Sequence, residues 1–309
     1  MRTSALAAFT LLLAAGTVHG QTIGVSMANL DKFQTTLAKG ITDYGATISG
    51  LSIKLESAGG DADKQMDQIK KFAADKVDAI IVGPADGDMG AAISKIATDA
   101  NIPLVYVNNV PANLAELPPK QALVASNEKE SGTLETKEVC RLLKGKGNVA
   151  VMMGELFHAA ARMRTEDISD VLATDACKDL HVVERQSANW SRDHADRLMQ
   201  EWLKAGVKFD AVIANNDEMA LGAIRAMKKA GLPMDKVVVA GVDATDDAIA
   251  AMVAGDLDVT ILQNAAGQGA GSVDAAVKLI KGETVAREIY VPFELVTPEN
   301  VSKYLPKSQ

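Results

Sequence analysis

Asn, Asp, Gln and Arg gather in this chain at one kind of place, directly behind short apolar runs. The positions are Asn29–Phe33, Gly83–Asp86, Asn108-Asn109, Ser126-Asn127, Glu155–Arg164, Asn189-Trp190, Asn215–Asp217, Asp243 and Gln263. Carboxylates, primary amides and a guanidinium suit vicinal hydroxyls, because each hydroxyl both donates and accepts. Phe33 and Trp190 add flat apolar surface that can cover the C–H faces of a ring. The set has the composition of a site for a polyhydroxylated molecule. Helix capping competes with that reading, since Asn and Asp behind a strand are ordinary N-caps. For Asp217 capping is preferred, with Asn216 the better contact. Only the convergence of many such residues from different parts of the chain favours a ligand site.

Catalytic chemistry finds little support. His158, His181 and His194 stand at no metal-ligand spacing, and HExxH, CxxC and GxSxG are absent. Gly267-Gln-Gly-Ala-Gly271 resembles a phosphate-binding loop superficially but lacks the lysine of a P-loop. Asp246 and Asp247 are sequence neighbours, which do not face each other on a helix. No enzyme activity, metal or cofactor is expected.

The elements that must hold these residues alternate along the chain. Strands are expected over 22–27, 51–55, 79–82, 104–107, 122–125, 148–153, 181–186, 211–214, 237–240 and 259–262. Helical patterns run between them, over 63–74, 90–100, 164–172, 193–205 and 218–230. Near-continuous apolar strands alternating with amphipathic helices imply βαβ units and parallel sheets covered on both faces. Ten strands are too many for one simple doubly wound sheet of this length, so two similar α/β halves of about five strands each are expected. Open parallel sheets bind ligands at the C-terminal ends of their strands, which is where the polar residues lie.

Bulk properties bound the setting. Arg2, the apolar run Ala5–Gly16 and the small residues Val18-His19-Gly20 read as a secretory leader, residues 1–20, too short for a membrane span. Removing 20 of the 309 residues leaves 289, enough for two domains, with no stable membrane insertion expected. The formal net charge is −8, and −9 once Arg2 is gone, which argues against a nucleic-acid partner. An oxidising compartment permits a disulfide between Cys140 and Cys177, both placed where neighbouring strands begin; two buried free thiols are the alternative.

Four stretches, in order, carry a family resemblance: Val124-Ala-Ser-Asn127, Ala161-Arg-Met-Arg164, Ala214–Ala226 and Val239-Ala-Gly-Val-Asp243. With these the chain resembles ribose-type periplasmic sugar-binding proteins of ABC importers over nearly its whole exported length. Val105-Tyr-Val-Asn108, Arg164-Thr165 and Gln186–Trp190 followed by Arg192 are similar to receptors for inositol and rhizopine.

The resemblance implies a type I periplasmic binding fold. Its two Rossmann-like lobes would join through three hinge crossings near 126–127, 263–264 and 292–293. The expected lobes are 21–126 with 264–292, and 127–263 with 293–309. It implies ligand contacts at Asp31, Phe33, Asn108 and Ser126 from the first lobe, and at Arg164, Trp190, Asn216, Asp243 and Gln263 from the second. Phe33 and Trp190 would sandwich the ring, Asp243 would accept two hydroxyls, and Arg164 would donate to hydroxyl or ring oxygens.

Departures from the ribose pattern bear on the ligand. Gln34 stands where a second aromatic is expected, Gly83 where an Asn is, and Asn108-Asn109 where an acid–Arg pair is. A cyclitol such as myo-inositol is favoured, with pentoses, hexoses and sugar alcohols as alternatives. The expected partner is an ABC importer permease, or alternatively a chemotaxis or sensor-kinase ectodomain, and the receptor is expected to be a monomer. A repressor shares the fold, but the chain carries a secretory leader where a repressor carries its DNA-binding domain. An exported sugar-modifying enzyme is the remaining alternative.

Overall fold

A computed structural model describes residues 20–305, so the expected leader over 1–20 lies outside the described residues but for Gly20. Among them, twelve strands form two six-stranded sheets. The first sheet holds β1 (Gln21–Met27), β2 (Leu51–Ser57), β3 (Ala79–Gly83), β4 (Leu104–Val107), β5 (Gln121–Ala125) and β11 (Glu288–Tyr290), in the order β11-β5-β4-β3-β1-β2. The second holds β6 (Lys146–Met153), β7 (Asp179–Ser187), β8 (Ala211–Ala214), β9 (Val238–Asp243), β10 (Val259–Gln263) and β12 (Phe293–Val296), in the order β12-β10-β9-β8-β6-β7. In each sheet the strand order reverses beside its first strand, β1 or β6, the switch-point arrangement of doubly wound sheets.

The central strands are apolar because both of their faces are covered. Every residue of β3, β4, β5 and β8 is buried. In the first lobe, α1 (Lys32–Ala46) and α9 (Ala265–Ile280) cover one face through Leu37, Ile41 and Val273. On the other face, α2 (Ala62–Ala74) and α3 (Gly90–Asp99) contribute Ile69, Phe72 and Ile93. In the second lobe, α4 (Glu128–Leu142) and α5 (Ala159–Leu172) lie on one face with Val139, Ile168 and Val171. The opposite face takes α6 (Arg192–Lys204), α7 (Asp217–Lys229) and α8 (Asp246–Val253), with Met199, Trp202, Met219 and Met252.

The chain passes between the sheets three times: at Ser126-Asn127 between β5 and α4, at Asn264 between β10 and α9, and at Val291-Pro292 between β11 and β12. All ten expected strands are present, and β11 and β12 are additional. β12 runs antiparallel to β10, so the second sheet is parallel except at that edge. Two residues separate β12 from β11, room for a crossing but not for the covering element that a parallel return to the second sheet would need. Cys140, in the last turn of α4, and Cys177, ahead of β7, are joined by a disulfide. β6 and β7 are paired neighbours in the sheet.

Candidate functional site

The C-terminal ends of both sheets open onto one cleft of about 160 Å³. Its walls are the segments behind β1, β2, β3 and β4 on one side, and on the other Glu128 at the start of α4 with the ends of β6, β7, β8, β9 and β10. Eight of the nine expected contacts line it: Asp31, Phe33, Asn108, Arg164, Trp190, Asn216, Asp243 and Gln263. Ser126 does not. It is buried, and its hydroxyl accepts a hydrogen bond from Gln268 Nε2 at 2.9 Å.

Capping and cleft lining turn out to be compatible. Asp31 caps α1 by accepting from Gln34 N at 2.8 Å, and Asn216 caps α7 by accepting from Met219 N at 3.0 Å. The preferred reading of Asp217 as a cap is therefore corrected. Asp217 lies one residue inside α7, fully buried, where it accepts from Thr245 N at 2.8 Å and Thr260 Oγ1 at 2.7 Å. It ties α7 to the segment behind β9 rather than closing its own helix.

The aromatic pair comes from opposite lobes. Trp190 adopts φ +61°, a left-handed backbone unusual for a bulky residue. Its indole packs where only Gly154 leaves room, since a Cβ there would stand 2.2 Å from two indole carbons. The His158 ring meets it edge-on at 5.4 Å. His158 caps α5 by accepting from Ala160 N through Nδ1, which leaves the proton on Nε2. Burial lowers the His158 pKa to about 4, so the ring is neutral at neutral pH.

Three charged side chains dominate the interior. Asp243 sits at φ +125° behind β9, and among the described residues no protein donor reaches its carboxylate. Burial pushes its carboxyl well above the usual range; Arg164 opposes this, while Asp217, Asp31 and Glu128 add repulsion. Arg164 is held mostly by protein partners. Its Nε and Nη2 donate to Glu128 Oε2 and Oε1 at 2.8 and 3.1 Å, Nη1 to Asn215 O at 2.6 Å, and Nη2 also to Gln263 Oε1 at 3.2 Å. Four of the five N–H groups of Arg164 are thus taken by protein acceptors, and one on Nη1 has none among the described residues.

An amide chain runs along the opposite wall. Gln34 Nε2 donates to Asn108 Oδ1 at 2.9 Å, Asn108 Nδ2 to Gln268 Oε1 at 3.2 Å, and Gln268 continues to Ser126. Sequence reading missed Glu128 and Gln268. Glu128 directly follows the pair assigned to the first crossing, and that position is its only signal. Gln268 lies inside the glycine-rich stretch compared with a phosphate loop, which is here the body of α9 packed on α1. Around the mouth of the cleft, Asp31, Glu155, Glu218 and Asp247 stand with Lys32 and Arg192, and Arg192 bridges Glu218 and Asp247.

Residues 23–284 match the family model of the periplasmic binding protein domain. The chain is 57% identical over 298 residues to a protein of Rhizobium meliloti assigned to rhizopine binding, covering 96% of each. It is 32% identical over 281 residues to a xylitol-binding protein of Mycolicibacterium smegmatis, covering 90% of this chain and 78% of that one. An ABC transporter solute-binding protein from Bacillus halodurans with bound myo-inositol superposes with a TM-score of 0.87 at 42% identity, covering 94% of this chain and 98% of that one. On a match spanning most of its length, the chain belongs to the periplasmic binding protein family, as a receptor for a solute and not an enzyme.

Proposed function

We propose that this protein captures a cyclitol resembling myo-inositol in the cleft between its lobes and hands it to the permease of an ABC importer. The observation that carries the reading is the convergence, from both lobes, of eight separated polar and aromatic residues on one cleft, an unpartnered buried carboxylate among them. A volume of about 160 Å³ is on the scale that accommodates a single six-membered ring, roughly 150 Å³ in an engineered cavity that takes benzene. The relative assigned to rhizopine binding and the neighbour with bound myo-inositol support the same ligand class. The ligand contacts in this reading are Asp31, Phe33, Asn108, Arg164, Trp190, Asn216, Asp243 and Gln263, with Ser126 acting through Gln268. Residues 21–126 with 264–292 form one lobe and 127–263 with 293–309 the other. The leader is removed on export, and the mature receptor works in the periplasm as a monomer.

A sugar alcohol is the second reading, favoured by the relative that binds xylitol. Thermal-shift screening against cyclitols, alditols, pentoses and hexoses, followed by calorimetry, decides between them. A ligand at 100 times its Kd stabilises the folded state by about 2.7 kcal/mol, an easily read shift. An inositol giving the largest shift supports the first reading, an open-chain alditol the second. No shift with any polyol overturns both.

A further inference from the structure

The Asp243 carboxylate reaches the cleft from backbone that its own residue types do not favour. Asp243 takes φ +125° and Ala244 φ +53°, two successive left-handed residues, neither of them glycine. Such backbone persists only where its surroundings hold it. Three hydrogen bonds behind the cleft wall do so. Thr260 Oγ1 accepts from Ala244 N at 3.1 Å and donates to Asp217 Oδ1 at 2.7 Å, while Asp217 Oδ2 accepts from Thr245 N at 2.8 Å. The two backbone N–H groups that follow Asp243 are thereby both satisfied, and the single Thr260 hydroxyl serves as acceptor and donor at once.

Three elements build this clamp. Asp217 is the first residue of α7, Thr260 lies in β10, and Gly241 of β9 stands opposite Thr260 in the sheet. A Cβ at 241 would come within 2.6 Å of Asp217 Oδ1, so the carboxylate reaches Thr260 only across a glycine. Asp217 and Thr260 are both fully buried. Burying a carboxylate is costly, and both partners that Asp217 gains there serve the segment carrying Asp243. We propose that Asp217 and Thr260 are positioning residues for the ligand. They lock the Asp243–Ala244 backbone in the conformation that aims the Asp243 carboxylate into the cleft, and they act on affinity through Asp243 without touching the polyol. This rests on the reading of the cleft as a polyol site and deepens it.

The test is calorimetry with myo-inositol. Thr260→Val keeps the side-chain shape but removes the hydroxyl, and affinity should fall about tenfold or more. Thr260→Ser keeps the hydroxyl and loses a methyl, and should recover most of that affinity. Packing alone gives the opposite order, since Thr260→Val conserves volume and Thr260→Ser does not. A double-mutant cycle supplies the second readout: with Asp243→Ala already in place, Thr260→Val should cost no more than about twofold, because the carboxylate it positions is gone. Asp217→Asn keeps an acceptor for Thr245 N but turns an N–H toward Thr260. It should weaken binding in the same direction by less, and carries the cycle if Thr260→Val does not fold. Unchanged affinity in folded Thr260→Val overturns the proposal. So does Thr260→Ser binding no better than Thr260→Val, or the full loss repeated on the Asp243→Ala background. A wild-type protein without affinity for myo-inositol overturns the functional reading itself and this proposal with it, a result distinguishable before any variant is compared.

Discussion

Trp190 owes its position to an absence: Gly154 has no side chain. A Cβ at 154 would press on three indole atoms at 2.2–2.3 Å, so the ring must swing away. Gly154→Ala should therefore weaken polyol binding by about tenfold or more, since a buried aromatic face contributes of order 1–3 kcal/mol. The melting temperature of the free protein should move little, because the half-buried indole is cleft wall and not core. Calorimetry beside a thermal melt separates the two effects. Asp243 gives a second expectation. Ligand hydroxyls donating to its carboxylate favour the ionised form, so the pKa in the complex lies below that of the free protein. Affinity is then complete above the free-state pKa and declines as pH falls through it. Because burial holds that pKa well above the ordinary range, the decline begins at a higher pH than an ordinary carboxylate would give. Binding measured in steps from pH 8 to pH 5 should show it, and Asp243→Asn should flatten the profile. At this scale sequence located the lining well, since Asn216 and Asp243 directly follow recognisable strands. It could not assign partners: nothing local to Arg164 indicates that a glutamate 36 positions earlier pairs with it.

α4 carries a cost at its centre. Glu135 is fully buried in its middle, and neither carboxylate oxygen has a hydrogen-bond partner. Burial holds its carboxyl well above the usual range; Arg164 opposes the shift and Asp217 adds to it. An acid with a raised folded-state pKa costs nothing below its unfolded pKa. It penalises folding increasingly as pH rises toward the folded-state value. Glu135→Met, which keeps volume and removes the orphaned oxygens, should stabilise the protein by about 1–3 kcal/mol at pH 8. The gain should shrink toward about pH 3, below the ordinary carboxyl range, where the wild-type side chain is protonated in both states. Melts at the two pH values read it, and a gain that grows on acidification contradicts the account. Strand patterns alone were enough for the ten expected strands, even four-residue β4 and β8, because a strand covered on both faces reads as an apolar run. β11 and β12 escaped because they are three and four residues long and partly exposed; their identity comes from the partners β5 and β10 and not from their own pattern.

On the scale of the whole molecule, each lobe has its own apolar clusters on both faces of its sheet, and three short crossings join the two. Only the second lobe carries a disulfide. It closes a loop of 37 residues, and the loop-entropy relation gives it about 4 kcal/mol of stabilisation. Removing it by Cys140→Ser with Cys177→Ser should weaken that lobe while leaving the first lobe's core untouched. The ligand-free variant should then unfold in two calorimetric steps, the second lobe before the first, where the wild type unfolds in transitions closer together. A ligand gripped by both lobes binds only when both are folded, so saturating polyol should raise the lower transition toward the upper. The same ligand should do nothing of the kind if it bound to one lobe alone. A variant that melts in a single step without ligand would mean that the crossings couple the lobes as strongly as a shared core. Hinge closure between independently stable bodies would then have to give way to motion within one cooperative unit.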